Sequence, residues 1–398
     1  MLQSDCLFEP LQLPCGVRLK NRIAKSAMSD SLGDGTGHPT AEQIRLYERW
    51  ASGGLSISII GEVQGSANYA EKPGNLVLNE ASDLERFRIL ANRGGGGESD
   101  ALLCLQLGHA GALAYAPTCR PKGPSPLDLP GLKCAGLTLE EIHQLPSEFA
   151  ATAKLAQQAG FGGVQIHAAH GFLLSQFLSP LFNKRSDEYG GSIANRMRLL
   201  LQTIETVRAA VGPEFPIAVK LNSSDQLEGG LQQADALEVV AALDNTSIDL
   251  IDISGGTYFP GAKAASDGAG RGPYFIEFAK QAREVTSKPL MLTGGFKTCA
   301  QAVDAVASGT IDVVGLARAF IVDPALANHW KAGENTEPVF PRFAEAPEGG
   351  ITAWYTMRLT EIGADAEGPE YRDLPKAVVD YEARDKQRTA IWLEHFSI

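Results

Sequence analysis

Two histidines stand three residues apart in the stretch QIHAAHGF at 165–172, where an apolar run gives way to glycine. The chain carries seven histidines in 398 residues, so a pair this close asks for a use. Residues three apart on a strand point to opposite faces. His167 and His170 can therefore serve one site only if the chain leaves the strand between them, as Ala168 and Ala169 allow. A metal centre would need a third or fourth ligand, and no carboxylate or cysteine stands at suitable spacing, so no metal is expected. As neutral imidazoles the two would instead donate to one oxygen, polarising a carbonyl and stabilising the charge that grows on it. A pair of core histidines is the plainer alternative.

The elements that must position such a pair are legible. Short apolar, β-branched runs recur at 22–28, 55–62, 101–107, 163–167, 217–222, 250–254, 290–293 and 313–317. They alternate with stretches of helical period; in ANRMRLLLQTIETVRAAVG, Met197, Leu200, Leu201, Ile204 and Val207 form one apolar stripe. Eight strand–helix repeats predict an α/β protein of (β/α)8 TIM-barrel type, with strands apolar on both faces. LQLPCGVRLKN reads as an N-terminal β-hairpin lid turning at Pro14, Cys15 and Gly16. GGGG at 94–97 reads as a loop, and Asp323 and Pro324 as the start of a helix after the eighth strand. Residues 1–335 are expected to form the barrel and 336–398 a C-terminal helical tail packed on it.

In such a barrel the chemistry sits at the C-terminal strand ends. Ser29, Gln106, His109, His167, His170 and Lys220 all collect there. The last two ends favour phosphate. Gly294 and Gly295 in TGGF let backbone N–H groups approach an anion, a helix is expected from Cys299, and GLARAF adds Arg318, whose forked guanidinium matches phosphate.

Composition narrows the partners. With 35 basic and 47 acidic residues the formal charge is −12, which disfavours nucleic acid and anionic membrane. The first residues lack the pattern of a signal peptide and no apolar run reaches bilayer length, so a cytoplasmic location is expected. Six scattered cysteines without CxxC spacing read as free thiols, with no cluster for iron–sulfur ligation.

The segment GFGGVQIHAAHGFLLSQFLSPLFNKRSDEYGGSIANRMRLL closely resembles the signature of the Old Yellow Enzyme family of FMN-dependent ene-reductases. NRIAKSAM is similar to that family's first strand, CLQLGHAG to its third, VKLNSSD to its fifth, and LTGGFKT and VGLARAFIVDP to its last two. The motifs run in order over most of the chain. The resemblance implies one FMN at the barrel mouth, reduced by NADPH or NADH, and a small enone or nitroalkene as substrate. A homo-oligomer is compatible with it. It implies that Ala27, Met28 and Ser29 line the flavin, that Gln106 meets its pyrimidine edge, and that Lys220 stabilises the reduced ring. Gly294, Gly295, Ala317 and Arg318 would cradle the phosphate, and His167 and His170 would hold the substrate's activating oxygen.

Departures from the family pattern stand out. Phe172 occupies the position of the usual proton-donating tyrosine, and a phenyl ring has no proton to give. Ser29 stands where cysteine or threonine is common, and Ala112 where an arginine is frequent. Glu62 falls at the flavin-facing end of the second strand, where a charged carboxylate pointing inward would disfavour an electron-rich reduced ring. Asn183, Arg185, Asp187 and Tyr189 are expected to brace the loop after strand four, with Ser192 capping the next helix. Three alternatives stay open. One is a flavin binder with weak or different acceptor chemistry. Another is a flavin-free sugar-phosphate isomerase. The third is a dienoyl-CoA reductase or amine dehydrogenase relative, for which the chain lacks the cysteine cluster and the second nucleotide-binding domain.

Overall fold

A computed structural model describes residues 5–95, 100–260, 262, 272–334, 337–343, 345–347, 349–368 and 372–397. Eight parallel strands close into a barrel: β1 (Ile23–Lys25), β2 (Ile57–Gln64), β3 (Leu102–Gly108), β4 (Gly163–Ala168), β5 (Ile217–Asn222), β6 (Leu250–Ser254), β7 (Leu290–Thr293) and β8 (Val313–Leu316). Each pairs in parallel with its sequence neighbours, and β8 pairs with β1 to shut the ring. Nearly every strand residue is buried, because helices cover the outside and side chains fill the inside. The (β/α)8 expectation holds, although the first strand is shorter than the run 22–28.

The connecting helices are α1 (Ala41–Ser52), α2 (Leu84–Gly95), α3 (Leu139–Ala159), α4 (Arg198–Val211), α5 (Gln233–Asp244), α6 (Ile276–Val285) and α7 (Cys299–Ala307). In α4 the stripe of Leu200, Ile204 and Val207 is buried, Met197 and Leu201 lie on its margin, and Leu199 and Thr203 extend it. A Thr138/Glu141 capping box starts α3. Gly94 and Gly95 belong to the end of α2 and are not loop, whereas positions 96 and 97 lie outside the described residues. A Cβ on Gly95 would come within 2.4 Å of Leu103 Cβ, so close packing of α2 on β3 requires glycine there and overrides its poor helix propensity.

The N-terminal hairpin pairs Leu11–Gln12 with Arg18–Leu19. Leu13 and Leu19 pack with Ile57, Leu250, Met291 and Val313, plugging the N-terminal end of the barrel. Each such leucine contributes about 1.5–3 kcal/mol by leaving water. After β8 comes a short helix that the sequence did not announce, α8 (Arg318–Val322); the helix expected from Asp323 and Pro324 follows as α9 (Leu326–Lys331). The tail folds as α10 (Gly350–Gly363), packed on α1 and α8, and α11 (Leu374–Phe396); the expected boundary at 335–336 lies outside the described residues. The closing helix lies across the loops that follow β1 and β2. Arg388 donates to the Ser31 carbonyl, and Trp392 packs on Ala67, Ala70 and Val77. Among the described residues no helix is long and apolar enough to cross a membrane.

Candidate active site

The barrel interior below the mouth is polar, and its register explains how. His167 on β4 sits opposite Lys220 on β5, Lys220 opposite Asp252 on β6, and Gln165 opposite Gln106 on β3. Lys220 Nζ lies 2.7 Å from Asp252 Oδ2, which also accepts from Gln165 Nε2 at 3.0 Å. Gln106 Nε2 donates to Gln165 Oε1 at 2.7 Å, Thr293 Oγ1 donates to Asp252 Oδ1 at 2.6 Å, and Ser26 meets Thr293 at 2.8 Å. The expected Gln106 and Lys220 thus belong to one buried network. Sequence reasoning missed Gln165, Asp252 and Thr293, although a lone aspartate inside the apolar run LIDIS was a readable signal.

The histidine pair ends β4. His167 closes the strand, and the chain then turns through His170 (φ 61°) and Gly171 (φ 81°). At Gly171 a Cβ would lie 2.0 Å from Thr257 Oγ1, so only glycine fits. The turn brings His167 Nε2 to 3.2 Å from His170 Nδ1. His170 is further fixed by its N–H donating to Asn222 Oδ1 at 3.0 Å and by Nε2 lying 2.9 Å from Ser254 Oγ. Burial, then the Lys220 charge, pushes His170 down to about 3; burial, His170 and Lys220 hold His167 well below the usual imidazole range. Both rings are neutral at pH 7. Nδ1 of His167 is buried without a hydrogen-bond partner.

Glu62 points inward. The pairing of β2 with β3 shifts between Ile60 and Val63, and Glu62 at the bulge adopts φ 66°. Gly61 beside it packs so closely on Met28 that a Cβ would lie 2.4 Å from that backbone. The Glu62 carboxyl is 5% exposed, with Oε1 3.5 Å from His167 Nδ1 and Oε2 unpartnered. Burial, followed by the Glu71 charge, pushes its carboxyl well above the ordinary range against the pull of Lys72 and of the Gln64 side chain. Phe172 is buried with Ala110, Ala114 and Cys119, its ring centroid 4.8 Å from that of His167. Tyr258, not singled out by sequence, lies 66% exposed at the rim, 5.7 Å from His170 and 5.9 Å from Phe172 between ring centroids.

The remaining expected residues ring the mouth. Ala27, Met28 and Ser29 are half-buried at the end of β1, and Ser29 Oγ has no partner. His109 stacks on Tyr69 at 3.9 Å; its Nδ1 accepts from Gly111 N–H, and Nε2 is unpartnered. Gly294 (φ 118°) and Gly295 (φ 86°) follow β7, next to Ala317 and the exposed Arg318 after β8. At Gly295 a Cβ would lie 2.3 Å from Gly272 O. Arg318 carries its guanidinium 5.1 Å over the Tyr355 ring of α10. Thr298 caps α7 on Gln301, as the Cys299 start predicts. Asn183 donates to the Phe177 and Tyr189 carbonyls, Arg185 pairs with Asp187, and Ser192 caps its short helix, so the loop after β4 is braced as expected.

Unpartnered polar atoms at one end of the barrel, beside a glycine cradle and a forked cation, suit a flat, phosphate-bearing cofactor. Residues 6–337 match the NADH:flavin oxidoreductase / NADH oxidase family, and the chain belongs to it. It is 33% identical over 392 residues to NADH-dependent flavin oxidoreductase iliE of Hypocrea jecorina (strain QM6a), covering 86% of this chain and 95% of that protein. With NADH-dependent flavin oxidoreductase iliE of Neonectria sp. (strain DH2) it shares 32% identity over 382 residues; this takes in 87% of the chain but only about half, 49%, of that relative's length. The solved old yellow enzyme homologue from Zymomonas mobilis superposes with a TM-score of 0.73 at 26% identity, over 88% of this chain and 98% of that one.

Proposed function

We propose that the protein is an FMN-dependent ene-reductase that uses NADH or NADPH to saturate the activated C=C bond of an α,β-unsaturated carbonyl or nitro compound. The observation that carries this reading is the pair of neutral imidazoles at the end of β4, with the unpartnered Nδ1 of His167 at the mouth. FMN, when bound, supplies the two-electron transfer between the nicotinamide and the substrate's β-carbon.

His167 holds the substrate oxygen through its free Nδ1 and stabilises the negative charge that gathers there, with His170 fixing the other nitrogen of its ring; loss of such a donor costs about 3 kcal/mol of barrier. Asn222 and Ser254 orient His170. Gln106 and Lys220 hold the pyrimidine edge of the ring, Ala27, Met28 and Ser29 line it, and Gly294, Gly295, Ala317 and Arg318 take the phosphate. Phe172 packs beside His167 and supplies no proton. That last fact favours a second reading, a flavin barrel whose acceptor needs no carbon protonation.

An anaerobic visible spectrum of the purified protein separates the two. Bleaching of the yellow colour by NADH or NADPH and its return with a cyclic enone supports ene reduction. Bleaching that only a quinone reverses sinks it in favour of the second reading.

A further inference from the structure

Glu62 has the marks of a working group and few of a structural one. A carboxyl kept for stability normally has its lone pairs satisfied. Here Oε2 is buried without a hydrogen-bond partner among the described residues, and Oε1 faces an imidazole nitrogen 3.5 Å away, with the Gln64 side chain also beside the carboxyl. The backbone is held in the left-handed region by a bulge, a conformation that costs about 1–3 kcal/mol in a residue with a side chain and that clusters at functional sites. Gly108 borders the carboxyl together with the Gln64 amide: a Cβ there would stand 3.5 Å from Gln64 Nε2 and 3.7 Å from Glu62 Oε2.

Two groups adjoin His167. Phe172, at the position where the family resemblance calls for a proton donor, lies 4.8 Å from the His167 ring. The Glu62 carboxyl lies against Nδ1 of the same ring. A substrate oxygen that takes a hydrogen bond from His167 Nδ1 would occupy the place next to Glu62 Oε1. The α-carbon, two bonds from that oxygen, then falls within reach of the carboxyl.

We propose that Glu62 is the proton donor of this site, filling the role that Phe172 cannot. The assignment rests on the ene-reductase reading. In the step, the C=C π bond breaks as the β-carbon receives two electrons and a hydrogen from reduced flavin, itself reduced by the nicotinamide. The displaced π electrons form the α-carbon's new C–H bond with the Glu62 proton as the O–H bond breaks. The carboxylate left behind recovers a proton from bulk water. Burial holds the carboxyl in its protonated form before the step. Glu71, Lys72 and Tyr258, with His167, are the titratable groups that act on it or that it acts on.

The test is rapid-mixing kinetics of the two half-reactions in the flavin-loaded protein. Glu62→Gln is expected to leave reduction by NADH within a few-fold of wild type. It should slow reoxidation by cyclohexenone on the order of 10²–10⁴-fold. Reoxidation by ferricyanide, which accepts electrons without a proton, should stay within a few-fold. Glu62→Asp should retain part of the enone rate, and Phe172→Tyr placed in the Glu62→Gln background should restore at least tenfold. A readout independent of turnover is the infrared spectrum at neutral pH, where wild type should show a protonated carboxyl band that Glu62→Gln lacks. Wild-type enone rates in Glu62→Gln, an equal loss with enone and ferricyanide, or a missing carboxyl band each overturn the assignment. A wild-type protein that reoxidises with quinone but not with enone overturns the ene-reductase reading first, and the assignment with it.

Discussion

Lys220 Nζ and Asp252 Oδ2 meet at 2.7 Å in the barrel interior, and both side chains are buried. Asp252 is also the acceptor for Gln165 and Thr293, so one carboxylate ties four strands together, β4 to β7. Removing its charge leaves the ammonium of Lys220 buried without compensation. Asp252→Asn is expected to destabilise the fold by about 3–5 kcal/mol in urea unfolding. The double replacement Lys220→Met with Asp252→Leu should recover most of that loss. A single-variant loss below about 1 kcal/mol would mean that the pair is not coupled to folding.

Arg318 and Tyr355 connect the strand-eight end to the tail through a cation–π contact at 5.1 Å. If the guanidinium takes the cofactor phosphate, Arg318→Ala should weaken FMN binding by about 1.5–3 kcal/mol, or roughly 10–150-fold in Kd. Riboflavin, which lacks the phosphate, should bind both proteins alike. Tyr355→Ala should weaken FMN binding only a few-fold, since an exposed cation–π contact is worth about 0.5–1 kcal/mol. Flavin fluorescence titration of the apoprotein reads all three, and equal losses for FMN and riboflavin would rule out a phosphate contact.

His109 supplies a pH signature. Its burial lowers it from the ordinary 6.5 to about 3, so the folded ring stays neutral where the unfolded ring takes up a proton. The unfolded state binds more protons between those values. Stability from this group is therefore complete above pH 6.5 and is lost as pH falls towards 3. Between pH 7 and pH 5 the single group accounts for about 2 kcal/mol. His109→Gln should remove that share of the acid destabilisation, leaving the part due to His167 and His170. Urea unfolding at the two pH values measures it, and identical pH dependence in variant and wild type would contradict the buried neutral ring.

The strands and their order were legible because parallel strands covered on both faces read as short apolar runs between amphipathic helices. The histidine pair was legible for a related reason: Ala168, Ala169 and Gly171 mark where the chain leaves β4. What escaped depended on tertiary contacts. The direction of Glu62 follows from a bulge set by pairing with β3, and nothing in GEVQ announces it. Gly94 and Gly95 look like loop until α2 is packed against Leu103. Tyr258 and Ser254 reach the site only because the turn after β6 lies against His170. Asp252 alone among the missed residues carried a clue in its own strand.

The closing helix gives this barrel a lever far from its chemistry. Ile391 rests on Gly35, and Arg388 and Trp392 hold the loops leading from Ser29 and from Glu62. Drift in the last two dozen residues, invisible to any comparison of barrel motifs, can thus reshape what the mouth accepts. Related proteins with the same histidine pair could diverge in substrate preference through their ends alone.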